Sequence, residues 1–85
     1  MASRAHESDA RRRQTREALF GALTALVLRH RYEDIRIDDI LALASVGRST
    51  FYEHFRGKDA LLVANMESAL AVLSSLTEPA FDLAA

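Results

Sequence analysis

Apolar positions recur along the chain at helical rather than strand spacing, in four separate stretches. Between Ala10 and His30, Leu19, Ala22, Leu23, Leu26 and Val27 fall on one stripe, which predicts a first helix. Residues 1–9 carry no such stripe and are read as a mobile arm. Arg29, His30 and Arg31 lie where positive charge suits a helix C-terminus. A connector over Tyr32–Ile37 offers Tyr32, Ile35 and Ile37 to the core. Asp38 and Asp39 then sit in the first turn of a second helix, where carboxylates complement the dipole, and Ile40, Leu41 and Ala44 give its inward face. A turn, Ser45-Val46-Gly47, tucks Val46 beneath this helix and the next. The third helix is expected from Arg48 to Phe55 and breaks at Arg56-Gly57. The fourth starts near Lys58 or Asp59 and runs to about Leu76, and Pro79 marks its end or the first turn of another helix.

Two signals compete for the start of the third helix. Thr50-x-x-Glu53 matches a capping box and places the N-cap at Thr50. That start leaves barely one turn before the break, whereas Gly47 as a weaker cap leaves two. The expected cap is Gly47.

This helix has two unlike faces. Phe51 and Phe55 are spaced i, i+4 and point inward, beside Ile40, Ala44 and Val46 of the preceding elements. Arg48, Ser49, Tyr52 and Glu53 share the outward face. A long cation, a small hydroxyl and a phenol suit base edges and phosphate oxygens. Two short helices joined by a three-residue turn, with polar groups projecting from an aromatic anchor, form a DNA-reading device. An ordinary solvated face is the plainer alternative, but a short helix rarely exposes Tyr beside hydroxyls without a partner.

Length changes the picture only by bounding it: 85 residues make one small domain. One Pro and three Gly favour helices over a turn-rich β fold. Cysteine is absent, so neither disulfides nor thiolate metal sites are expected. The polar N-terminus has no signal-peptide core and no stretch is read as a membrane span, so the expected location is the cytoplasm.

Net charge is −1, unlike a strongly basic DNA binder. Its distribution matters more. Residues 1–16 set Arg4, Arg11, Arg12, Arg13 and Arg16 against Glu7 and Asp9. Residues 45–58 set Arg48, Arg56 and Lys58 against Glu53, while 59–85 carry Asp59, Glu67, Glu78 and Asp82 with no cation. Two basic segments could share one face while the acidic segment turns elsewhere.

Catalysis and metal binding find no support in the residues. His6, His30 and His54 are scattered and no paired carboxylates accompany them, so no metal and no cofactor are expected. Ser49 or Thr50 as a nucleophile would need a base and an oxyanion hole, which nothing supplies, so the chain is read as no enzyme. Leu61, Leu62, Met66, Leu70 and Leu73 form a stripe read as core rather than as an effector pocket.

From Thr15 to Leu62 the chain resembles the N-terminal DNA-binding domain of the tetracycline-repressor (TetR) family of transcriptional regulators. The resemblance rests on Thr15-Arg16-Glu17-Ala18-Leu19, Tyr32-Glu33-Asp34, Ile37-Asp38-Asp39-Ile40, the run from Val46 to Phe55, and Lys58-Asp59-Ala60-Leu61-Leu62. It implies that Arg48, Ser49 and Thr50 lie at the major groove, that Tyr52, His54 and Lys58 hold phosphates, and that the Arg-rich arm, with Arg12 and Arg13, reaches the flanking groove. It further implies a homodimer on a double-stranded operator and a small-molecule effector bound by a C-terminal domain. Three positions depart from the family pattern. Arg31 stands where Gly usual to the family ends helix one, and a left-handed Arg there would cost roughly 1 kcal/mol. Ser45 occupies a turn position commonly Gly or Asn. Arg36 replaces the Thr or Ser that caps helix two, and is expected to keep its phosphate contact while losing the cap. Family members also continue well beyond this length, and Ala69–Leu73 is apolar on nearly every side. The chain therefore reads as the N-terminal portion of a longer regulator, the alternative being a small protein that dimerises through this end.

The expected protein is all-α, a small homeodomain-like helical bundle with a helix-turn-helix. Residues 1–9 form the basic arm, 10–57 the DNA-binding domain, and 58–85 the connecting helix that leads to an absent C-terminal domain. Its expected role is a ligand-responsive repressor. A helical module that binds protein on the same scaffold, without DNA, is the competing reading.

Overall fold

Leu19 and Leu23 lie one helical turn apart, and both are fully buried. Around them gather Ala22, Ile35, Ile40, Leu41, Phe51, Phe55 and Leu61, so each helix contributes to one core. The computed structural model describes the backbone of residues 2–84 and the side chains of residues 8–76. Its elements are α1 (Ala2–Val27), a 3₁₀ turn (Tyr32–Asp34), α2 (Ile37–Ala44), α3 (Arg48–His54) and α4 (Lys58–Ala84). Among the described residues there is no strand. The domain is all-α, with a helix-turn-helix carried by α2 and α3.

Helix α1 starts eight residues before the expected Ala10, and the backbone of residues 2–9 is helical. Apolar periodicity reports the face that packs, not the formation of a helix. A stretch without Gly or Pro can extend a helix N-terminally with no apolar stripe at all. At its other end α1 stops at Val27, short of His30. There the last turn tightens, with the Arg29 and His30 N–H groups both donating to the Leu26 carbonyl at 3.1 and 2.9 Å. Val27, expected in the stripe, is 39% exposed. Phe20 lies outside that stripe yet packs against the core, its ring 6.1 Å from that of Phe55.

The strain expected at Arg31 does not arise, because Arg31 is extended at φ −68°, ψ 144°. The chain leaves α1 through the 3₁₀ turn instead of a left-handed cap. Ile35 is buried, and Tyr32 and Ile37 pack partly buried against the core as the connector reading expects.

Helix α2 opens at Ile37 with Arg36 as its N-cap. A guanidinium has no acceptor, so Arg36 cannot cap through its side chain. The Asp39 carboxylate instead accepts the Arg36 N–H at 3.0 Å, and the Asp39 N–H donates to the Arg36 carbonyl, also at 3.0 Å. Helix α2 ends on Ser45, left-handed at φ 56°, ψ 44°. This is the one described non-glycine residue with positive φ, and it costs roughly 1 kcal/mol relative to Gly. The Val46 N–H closes the turn on the Leu41 carbonyl at 3.1 Å.

Gly47 is the N-cap of α3, in extended geometry, as the two-turn reading requires. Helix α4 runs past both Leu76 and Pro79 to Ala84. Pro79 removes one backbone donor at an interior position, at a cost of about 3 kcal/mol, and does not end the helix. Only the start of the α4 stripe is core. Leu61 is fully buried and Leu62 packs against the core, but Met66, Leu70 and Leu73 are 57%, 63% and 56% exposed. The first turns of α4 rest on α1, where Asn65 Nδ2 donates to Thr24 Oγ1 at 3.2 Å, and beyond that the helix leaves the bundle.

Candidate nucleic-acid interface

Helix α3 is held by its aromatic face. Phe51 is fully buried, Phe55 is 7% exposed, and their ring centroids are 5.9 Å apart. Fixing those two residues inward turns Arg48, Ser49, Tyr52 and Glu53 to solvent. Tyr52 is 47% exposed and stands edge-on to the Phe51 ring at 5.0 Å, so its hydroxyl projects from a braced ring. Thr50 and His54 are half-buried at one flank of the helix.

Three of the expected contact residues converge beside α3. Arg36, Arg48 and Lys58 line one cleft of about 420 Å³, together with Glu33, Ile37 and Asp38. Lys58 has an internal task there that its sequence context did not reveal. Its ammonium donates to the carbonyls of Tyr32 and Ile35, both at 2.8 Å, and lies 4.1 Å from the centre of the Tyr32 ring. The Tyr32 hydroxyl in turn donates to the Asp59 carboxylate. Burial, then the hydrogen bond and charge of Asp59, push the Tyr32 phenol up to about 12. Lys58 and Asp59 thus staple the first turn of α4 to the connector. An ammonium has three donors, so this arrangement still leaves one for a phosphate oxygen.

A second cleft, of about 340 Å³, lies between α1 and α3 on the other flank. Ser8, Arg11, Arg12 and Thr15 form one wall, and Thr50, Glu53 and His54 the other. Arg12 therefore lines this cleft from α1, the helix that also takes in residues 2–9, expected to form an arm. Arg13, one residue on, is exposed and is not among the residues of this cleft. The arginine that locks α1 to α3 is Arg16, whose guanidinium lies 5.0 Å from the centre of the Phe55 ring and 5.5 Å from that of Phe20. Arg16 was legible as a neighbour of Phe20 at i, i+4, but nothing in the sequence pointed it at Phe55.

His54 Nδ1 is buried and has no hydrogen-bond partner. Burial, then the charges of Arg12 and Arg16, lower the His54 pKa, while Glu53 pulls the other way. The unfolded chain therefore binds a proton here more readily than the folded one, so stability rises with pH across this titration and falls as pH drops below the ordinary histidine value of about 6.5. Thermal midpoints at neutral pH and near pH 5.5 should differ less for His54→Asn than for the native chain. An equal loss in both would show that another group carries the acid sensitivity.

Asp38 was not singled out from the sequence as part of a site. Its carboxylate accepts a hydrogen bond from Arg48 Nη2 across the turn, with the two side chains 70% and 56% exposed respectively. Ten positions separate them on different helices, a spacing to which no periodicity rule applies.

Among the described residues no group of His, Asp and Glu could hold a metal ion. The expectation that no stretch approaches a membrane span needs correcting, since Lys58–Leu76 is long and apolar enough by length and composition. The buried Leu61 and the Asn65–Thr24 hydrogen bond nevertheless tie the start of that stretch to the helical head.

No curated protein and no solved structure matches the chain significantly. The family model for bacterial regulatory proteins of the tetR family matches residues 20–64, more than half the chain, and spans α2, α3, the stapled start of α4 and every buried core residue except Leu19. The chain belongs to the TetR family of DNA-binding transcription regulators.

Proposed function

We propose that this chain is the DNA-reading head of a cytoplasmic, ligand-responsive repressor that occupies a two-fold operator as a homodimer. Residues 10–57 form the head and 58–85 the connecting segment. In this reading α3 enters the major groove, where Arg48, Ser49 and Thr50 meet base edges. Tyr52, His54, Lys58 and Arg36 hold phosphates around it. Arg12 approaches the backbone beside the site from α1, and Arg13 lies further along that helix. A small effector, bound by a C-terminal domain of the whole regulator, acts by shifting helix four and changing the separation of the two heads.

One observation carries the reading: a buried Phe51 fixes a two-turn helix whose outward face presents Arg48, Ser49 and Tyr52, between clefts that bring up Arg36, Lys58 and Arg12. Selection of bound sequences from a random duplex pool with the whole regulator tests it, and enrichment of a symmetric site is expected, whereas a single head should enrich one half-site. Ionic strength separates it from the protein-binding alternative, which the exposed Met66, Leu70 and Leu76 of α4 favour. Binding through several phosphates weakens steeply with salt, whereas an apolar protein contact does not.

Base reading and phosphate holding make different predictions. Arg48→Ala should cost about 1–3 kcal/mol on the selected site and relax preference at one position. Tyr52→Phe should weaken binding to all sequences alike, because a phosphate contact carries no sequence information. Equal loss across every operator variant for Arg48→Ala would reduce Arg48 to a positioning contact.

A further inference from the structure

We propose that Asp38 is a positioning residue for base recognition: it holds the Arg48 guanidinium against α2 and so determines which base α3 selects. The inference rests on the DNA-reading function proposed above.

Two adjacent carboxylates begin α2, and they have separate tasks. Asp39 caps the helix by accepting the Arg36 N–H at 3.0 Å. Asp38 is not needed for that cap, and its carboxylate reaches across the turn to Arg48 on α3. Stability offers little reason for the pair. Both side chains are more than half exposed, and an exposed ion pair adds little to stability.

Placement offers a stronger one. Asp38 lines the same cleft as Arg36, Arg48 and Lys58, the cations assigned to DNA. A carboxylate on that surface is repelled by every phosphate that approaches. Its place in the first turn of α2 suits the helix dipole, and beyond that it sharpens the cation beside it. A free arginine samples many rotamers, and ordering its side chain carries an entropic cost. Anchoring Nη2 to Asp38 removes much of that freedom before DNA arrives. The guanidinium has five N–H donors in a planar fork, so those left over can still approach the O6 and N7 acceptors of guanine as a pair. The same carboxylate raises the cost of settling Arg48 on a nearby phosphate, because that move leaves Asp38 unpaired beside the anionic backbone. Both effects act on discrimination rather than on raw affinity.

Asp38→Asn keeps the size of the side chain and removes its charge. It should bind random duplex DNA severalfold more tightly, through lost repulsion, while discrimination at the base pair read by Arg48 falls about three- to tenfold. The thermal midpoint should stay close to native. In an Arg48→Ala background, Asp38→Asn should change discrimination at that pair no further, since there is no guanidinium left to orient. Undiminished discrimination in Asp38→Asn, or losses that simply add in the double variant, would overturn the inference while leaving DNA reading intact. A native chain that enriches no sequence from the random pool would overturn the DNA-reading function itself, and this inference with it.

Discussion

Phe51→Ala should cost the domain about 3–5 kcal/mol, the range for emptying a large buried aromatic site. Phe51 is fully buried in the core with Leu19, Leu23, Ile40 and Leu61, residues supplied by α1, α2 and α4. One ring therefore ties α3 to the three other helices. It also braces Tyr52 at 5.0 Å and Phe55 at 5.9 Å, so truncation loosens the outward face and the Arg16 contact to Phe55 together. Small domains are stable by only about 5–15 kcal/mol, so this single change removes much of the total. Urea unfolding followed by circular dichroism should show a large fall in midpoint at nearly constant slope. Tyr52→Phe, on the same helix but facing solvent, should move the midpoint little. A loss below about 1 kcal/mol for Phe51→Ala would mean that α3 is held by something other than its aromatic face.

Two copies of the head joined by a flexible linker should bind a two-half-site operator about a hundredfold more tightly than one copy does, or better. A single recognition helix occupies one half-site, and two-fold operators are read by heads about one DNA turn apart. Once the first head is bound, the linker converts the second contact into an intramolecular event at high effective concentration. The gain should vanish on a duplex carrying one half-site, and it should depend on half-site spacing. Titration of the single and tandem chains against duplexes with varied spacing reads this directly. Equal affinity of the two chains for the full operator would argue that the head does not act in pairs.

Much of the head was legible along the chain because its signals are local. The inward pair Phe51 and Phe55 follows from i, i+4 spacing, and both are buried. Gly47 as the cap of α3 follows from counting turns to the Arg56-Gly57 break, and the helix does begin at Arg48. Ser45 was expected at a turn position commonly Gly or Asn, and it is left-handed. These features depend on one turn of backbone and its neighbours, which the order of residues specifies.

Where the reading failed, it inferred a helix's extent or burial from one element alone. Residues 2–9 are helical without an apolar stripe, and Pro79 lies inside α4 rather than at its end. Val27 and Met66 fit their helical stripes, yet both are exposed, because a stripe is buried only where another element reaches it. The expected left-handed Arg31 is extended, since the chain leaves α1 through a 3₁₀ turn.

The sequence by itself determined the helices of the head, the two faces of α3 and the family to which the chain belongs. Only the tertiary structure decided which charges meet. Arg48 pairs with Asp38, Lys58 turns toward the carbonyls of Tyr32 and Ile35, and Arg12 faces His54 across a cleft. Periodicity assigns a side chain to a face of its own helix, within about one turn. Which residue of a second helix stands opposite depends on how the two helices pack and where the turn between them places each first residue, and those follow from filling the core around Leu19, Leu23 and Phe51.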